Sequence, residues 1–161
     1  MKVFSHIDKN NQPTMVDVSD KQASEREAHA SALVHLPSVV GDAIQGDDIH
    51  TKKGPVFQTA IIAGTMAAKR TYELIPFCHP LGLESCKINI EMVNRGTARI
   101  DCRVRIYHKT GVEMEALTGA SVAALTIYDM CKGLSHDIVI DELKLESKTG
   151  GKSDYKAASN L

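Results

Sequence analysis

Between Glu27 and Leu36 the chain reads EAHASALVHL, and Ala28, Ala30, Ala32, Val34 and Leu36 alternate with mostly polar neighbours. Alanine favours helix, yet a strict period of two marks a strand with one buried face, and the pattern outweighs the propensity. Pro37-Ser38 breaks this strand, and Ser38 is placed to cap a short helix over residues 39–44 that Gly46 closes. Gly54-Pro55 opens a second helix, since proline at a helix start gives up no hydrogen bond. Ile61, Ile62, Met66 and Ala67 carry its apolar side toward Lys69, and Pro76 stops it. Cys86, Ile88, Ile90 and Met92 then share one strand face, and Ala98, Ile100, Cys102, Val104 and Ile106 share another across the turn Asn94-Arg95-Gly96. The other phase of that second strand, Arg99, Asp101, Arg103 and Arg105, reads as a solvated face or a set of intersubunit salt bridges.

After Gly111 a long helix runs to Lys132, with Leu117, Ser121, Ala124, Leu125 and Tyr128 on one stripe and Gly133 as its C-cap. A last strand holds Ile138, Ile140, Leu143 and Leu145, whose phase slips between Ile140 and Leu143 as a bulge requires. The order strand, helix, strand, strand, helix, strand predicts an α+β fold. It is the ferredoxin-like βαββαβ sandwich, an antiparallel sheet with both helices on one face, extended by an N-terminal hairpin around Asn10-Asn11. The small residues facing the helices leave no second internal layer, so the sheet's other face is expected to meet another subunit.

At 161 residues, 1–161 fits a single domain that buries about two-thirds of its unfolded surface without disulfide or metal staples. Nineteen basic against 20 acidic residues give no overall field for nucleic acid, so any anion site must be local. An RNA-binding reading also lacks stacking residues on the central strands, where Tyr107 is the one aromatic. The first residues form no apolar leader and no later run approaches a membrane span, so no membrane partner and a cytoplasmic location are expected. Cysteines at 78, 86, 102 and 131 lack any Cys-x-x-Cys spacing, which fits a reducing compartment and no metal.

Two apparent motifs are decoys. Residues 146–153, ESKTGGKS, end like a phosphate-binding loop, but the required leading glycine is Glu146. Lys109-Thr-Gly and Lys148-Thr-Gly lack any Ser-x-x-Lys companion. What survives is a set of lysines at loop and helix boundaries, Lys53, Lys69, Lys109, Lys132, Lys148 and Lys152, which are either solubilising charges or ligands for a triphosphate. Asp129 and Lys132 are three residues apart on the long helix, either an exposed ion pair or, partly desolvated, a proton-exchanging pair. Glu115 lies fourteen residues before Asp129 at a similar angle around the axis, so the two can share a face. In Pro76-Phe-Cys-His-Pro80, adjacent side chains of an extended segment point apart, which argues against a Cys78-His79 nucleophile pair. His79 is either structural or an acid, base or phosphate ligand.

IAGTMAAKRTYELIPFCHPL at 62–81, KTGVEMEALTGASVAALTIYDMCK at 109–132 and KTGGKS at 148–153 closely resemble the molybdenum-cofactor biosynthesis protein C family, the cyclic pyranopterin monophosphate synthases. The resemblance spans nearly the whole chain. It implies a homohexamer, a trimer of dimers with active sites at the dimer interface. The implied substrate is (8S)-3′,8-cyclo-7,8-dihydroguanosine 5′-triphosphate, and the products are cyclic pyranopterin monophosphate and pyrophosphate. No cofactor is implied, and the sequence leaves open whether Mg²⁺ accompanies the triphosphate. By the same resemblance Asp129 and Lys132 form the acid/base pair, and Lys53, Lys69 and His79 serve the triphosphate or the rearranging ring. Phe77, Cys78, Glu113, Met114 and Glu115 match substrate-contacting positions, with Lys109, Lys148 and Lys152 as further anion ligands. Pro55, His108 and Asp154 depart from the family pattern and bear on the placing of Lys53, Lys109 and the 148–156 loop. A binding-class alternative, a ferredoxin-like nucleotide-sensing module without catalysis, shares the same anion pocket.

Overall fold

The computed structural model describes residues 4–158, so residues 1–3 and 159–161 of the expected single domain lie outside the described residues. Four long strands are β1 (Ser24–His35), β5 (Ser85–Asn94), β6 (Thr97–His108) and β7 (Val139–Thr149). With the short β8 (Tyr155–Lys156) they form a sheet in the order β5-β6-β1-β7-β8, antiparallel throughout. The two long helices, α2 (Val56–Lys69) and α4 (Glu113–Cys131), pack on each other and on this sheet. The ferredoxin-like expectation holds, including the N-terminal hairpin, where Ile7 bridges Pro13 and Asn11 takes φ 59° in the turn.

The core lies between sheet and helices. Ala28, Ala30, Ala32 and Val34 of β1 and Ile100, Cys102, Val104 and Ile106 of β6 are buried against Ala116, Ala120, Ala123, Ala124 and Ile127 of α4. Alanines on both layers let the helices settle close to the sheet, and burial of this apolar face is the main stabilising term. Cys86 packs against the edge of this core, as its strand phase predicts. In β7 the expected slip is present, with an irregular register between Ser31 and Leu33 of β1 and Glu142 at φ 47°. A second irregularity, opposite His29 and Ala30, has no hydropathy signature.

Several local expectations change. The first helix, α1, is only Ser38–Gly41, with Pro37 as its N-cap and no side-chain cap hydrogen bond. Gly46, at φ 71°, makes the turn of a hairpin between β2 (Ile44–Gln45) and β3 (Asp48–Thr51) rather than ending that helix, and β4 (Gly54–Pro55) completes a second, three-stranded sheet. Pro55 is the N-cap of α2, while the cap acceptor comes from β3: Asp48 accepts from the Phe57 N–H at 2.7 Å and the Gln58 N–H at 3.2 Å. A carboxylate there satisfies two orphan donors and complements the helix dipole. A single helical turn, α3 (Thr71–Leu74), separates α2 from Pro76. Lys132, not Gly133, is the C-cap of α4.

Both helices are also turned from the expected stripes. The buried side of α2 is Val56, Phe57, Ala60, Gly64 and Ala68, and Ile62 and Met66 are exposed. On α4 the expected stripe holds in part: Ala124 is buried and Leu117 and Tyr128 pack at the edge of the core, but Leu125 is exposed, and Ala116, Ala120, Ala123, Ile127 and Cys131 also face inward. Size explains the difference: a Cβ on Gly64 would stand 2.6 Å from the Gly119 carbonyl oxygen, so the helices meet where side chains are absent.

The sheet's other face is ionic. Arg99 clasps Asp101 with two hydrogen bonds of 2.9 Å, His29 donates to the same carboxylate at 2.6 Å, and Ser31 donates to Glu146 at 2.6 Å. Burial opposes the charge on Asp101, yet Arg99 and His29 hold its carboxyl below the ordinary value. Arg99 and Asp101 are thus paired within the chain, and Arg103 and Arg105 remain exposed.

Candidate active site

Two clusters of polar side chains stand at the two ends of α4. At its N-terminal end lies a cavity of about 400 Å³. Phe77, Cys78 and His79 enter it from the segment after α3, which Pro76 and a Cys78 N–H to Ile75 carbonyl turn hold in place. Lys109 and Thr110 reach it from the end of β6, Glu113, Met114 and Glu115 from the first turn of α4, and Lys148 and Lys152 from β7 and the loop beyond it. Nine of the residues singled out in the sequence therefore share one wall system.

The charges are partly matched. Lys148 pairs with Glu113 at 3.0 Å, and Lys109 donates to the Ser19 carbonyl at 2.8 Å. The His79 Nε2–H donates to the Val16 carbonyl at 2.8 Å, which leaves Nδ1 as the free nitrogen. Lys21 and Arg26, not anticipated from the sequence, add two more cations to the lining. Arg26 also donates to the His108 and Lys109 carbonyls at 3.2 and 3.1 Å, fixing the loop that carries Lys109. Their segment precedes the periodic part of β1, so no spacing marks them. Burial, with the Glu115 charge adding, pushes the Cys78 thiol up, which favours the neutral thiol over the thiolate at this wall.

Glu115 is 4% exposed, and burial, with the Glu113 charge adding, pushes its carboxyl up to about 7. Such a group can give or take a proton near neutrality. A carboxyl raised above its unfolded value stabilises the fold fully below about pH 4.5, and that contribution is lost as pH rises through 7. The unfolding free energy of the native chain should therefore fall relative to Glu115→Gln between pH 4.5 and 7, by an amount on the order of 3 kcal/mol, and run parallel above that. A constant offset across the range would refute the assignment.

At the other end of α4, Lys132 donates to Asp129 at 2.7 Å and Lys53 lies 3.9 Å from the same carboxylate. The hydrogen bond and charge of Lys132, with Lys53 adding, hold Asp129 below its ordinary value, and Asp129 raises Lys132 in turn. The side chains are 57%, 47% and 66% exposed for Asp129, Lys132 and Lys53. Within one chain Glu115 and Asp129 stay apart: fourteen residues of helix separate them by about 21 Å, and one is buried while the other faces outward. Lys69 is exposed at the end of α2, outside the lining of the cavity. Among the described residues no group of three or more His, Cys, Asp or Glu side chains could hold a metal ion, and no helix is long and apolar enough to cross a membrane.

A ferredoxin-like sheet carrying a cation-rich cavity, with an aromatic ring and a buried carboxyl lining it, defines an α+β protein with a site suited to a small molecule. The family model described as MoaC family matches residues 15–151, and the chain belongs to that family. A protein of Xanthomonas campestris pv. campestris (strain B100) named cyclic pyranopterin monophosphate synthase is 54% identical over 155 residues, which cover 96% of this chain and 94% of that one. The molybdenum cofactor biosynthesis bifunctional protein of a Synechocystis strain is 54% identical, matching 94% of this chain but 45% of its own length. Molybdenum cofactor biosynthesis protein 1 of Dictyostelium discoideum is 53% identical over 93% of this chain and 26% of its own.

Proposed function

We propose that this chain is a cyclic pyranopterin monophosphate synthase of molybdenum-cofactor biosynthesis. It converts (8S)-3′,8-cyclo-7,8-dihydroguanosine 5′-triphosphate to cyclic pyranopterin monophosphate and pyrophosphate. The observation that carries this reading is 54% identity over 96% of the chain to a protein of that name. The chain works as a cytoplasmic homohexamer of single-domain subunits, a trimer of dimers, and the two clusters are halves of one active site contributed by neighbouring subunits. That arrangement is supported by the helix length: no side chain spans about 21 Å, so Asp129 can meet a ring held by Phe77 and His79 only from a second copy.

In this reading Lys109, Lys148 and Lys152, joined by Lys53 and Lys69, hold the triphosphate, with Mg²⁺ as its companion. Glu113 and Met114 contact substrate from the first turn of α4. Phe77, Cys78, His79 and Glu115 surround the ring. Asp129 and Lys132 move protons while the five-membered ring opens and the pterin closes. A substrate hydroxyl oxygen then attacks the α-phosphorus, and the α–β bridging oxygen leaves with pyrophosphate, its charge stabilised by the lysines.

Release of pyrophosphate from the purified cyclic triphosphate tests the whole reading, and binding of guanine nucleotide without release would favour the silent nucleotide-sensing module. Cys78→Ser should keep turnover within about fivefold, and His79→Ala should lose about 10²-fold or more, as expected for a group that positions or protonates the substrate. Equal losses in both would remove the distinction between wall and reactive side chain.

A further inference from the structure

The cavity wall contains one side chain from far outside every motif: His6, on the N-terminal segment, lines the cavity beside Phe77. The two rings are stacked, with centroids 5.9 Å apart and planes 20° from parallel. Among the described residues lining the cavity, the rings are His6, Phe77 and His79. His79 is already committed through Nε2 to the Val16 carbonyl. In the wall that also holds Lys21, Lys109, Lys148 and Lys152, His6 and Phe77 thus supply a stacked pair of rings.

His6 does not hang on a loose tail. Its carbonyl accepts from the Thr14 N–H at 2.9 Å across the hairpin, and the Asp8 carboxylate accepts from the Asn10 and Gln12 N–H groups at 2.8 and 2.9 Å. Farther along, the Asp17 carboxylate closes a turn on the Ser19 N–H at 2.8 Å, and the segment is fastened at Val16 to His79 and at Ser19 to Lys109. The segment is therefore tied to two residues of the cavity it borders, and its far end presents a ring. A chain whose N-terminus served only to cover the sheet would have no need of a ring at that place.

We infer that His6 is a substrate-binding residue that, with Phe77, forms the stacking surface for the planar guanine-derived ring. This rests on the reading of the cavity given above as a site for a guanine-derived triphosphate. The ring of such a substrate is large, flat and polar at its edges, so cationic side chains fix the phosphates but leave the ring's tilt undetermined. Two near-parallel rings set that tilt, because stacked aromatic groups favour offset parallel geometry over others. His6 acts through its π face and takes no proton in the reaction.

Turnover of the cyclic triphosphate by the full chain, and calorimetric binding of GTP, are measured for wild type, His6→Leu and His6→Phe. Loss of a stacking partner predicts that His6→Leu raises KM and weakens GTP binding about tenfold, with kcat within about twofold of wild type. His6→Phe, which keeps the π face and has no titrating nitrogen, should restore both constants. Unchanged or tighter binding in His6→Leu overturns the inference, and so does failure of phenylalanine to restore what leucine loses. If wild type binds GTP with this dependence on His6 yet never releases pyrophosphate, the synthase reading fails and the stacking role stands.

Discussion

Asp129→Asn should lower turnover about 10²- to 10⁴-fold while leaving the melting temperature where it is. Asparagine keeps the shape and still accepts a hydrogen bond from Lys132, so what it removes is the negative charge and the site for a proton. The fold does not depend on that charge, because Asp129 and Lys132 are about half exposed and pair across one helical turn in water. Lys132→Ala should act alike. The expected signature is therefore separation of the two readouts: a normal thermal transition and a nearly silent single-turnover assay. Near-normal conversion by either variant would show that the pair is only a surface salt bridge. Subunit sharing has its own test in the same material. Mixing Asp129→Asn chains with His79→Ala chains should regain part of the activity, since some interfaces then receive an intact half from each.

A large effect on stability is expected at Gly64, where the two long helices meet. A Cβ there would stand 2.6 Å from the Gly119 carbonyl oxygen, 2.6 Å from Ile88 Cδ1 and 3.2 Å from the Ala123 Cβ. Replacing a mid-helix glycine by alanine normally gains about 1 kcal/mol. Overpacking costs about 1–3 kcal/mol and more when the obstacle is backbone that cannot rotate away, so the clash decides the sign. Gly64→Val adds further atoms in the same gap and should lose at least about 3 kcal/mol, a fall of roughly 10 °C in melting temperature for a chain of this length. Gly82→Ala, where a Cβ would meet nothing within 4 Å, is the control and should melt within about 1 °C of wild type. A valine at 64 without cost would mean that the two helices can part without loss of packing.

The four long strands were legible because each alternates over many residues, and a one-residue slip would turn a whole row of alanines or isoleucines to the other face. The bulge near Glu142 was legible for the same reason, as a break in an otherwise regular phase. The strands β2 to β4, of two to four residues, are too short to show a period, and the cap from Asp48 arrives from outside the helix it caps. The helix faces were misjudged through size. Ile62, Met66 and Leu125 dominate any hydropathy stripe, while the true contact is made by Gly64, Gly119 and alanines, whose value lies in how little space they take.

The candidate site divides in the same way. The residue types came from ordered motifs, and the structure gathers most of them around one cavity. The angle of Glu115 and Asp129 around the helix axis is readable from their spacing, but the burial of one and the exposure of the other is not. The contribution of His6, Lys21 and Arg26 was hidden because a segment without periodicity gives no clue to where it folds back.

The straight run of α4 from Glu113 to Cys131 has a consequence for how such chains can vary in length. Adding one residue anywhere between Glu115 and Asp129 would advance the far end by about 1.5 Å and rotate it by about 100°, swinging Asp129 and Lys132 to a different side of the molecule. An insertion or deletion within α4 is therefore expected to separate the groups at its two ends, however mild the residue inserted. In this protein the helix is a gauge block, and its residue count is as much a part of the chemistry as the side chains at its two ends.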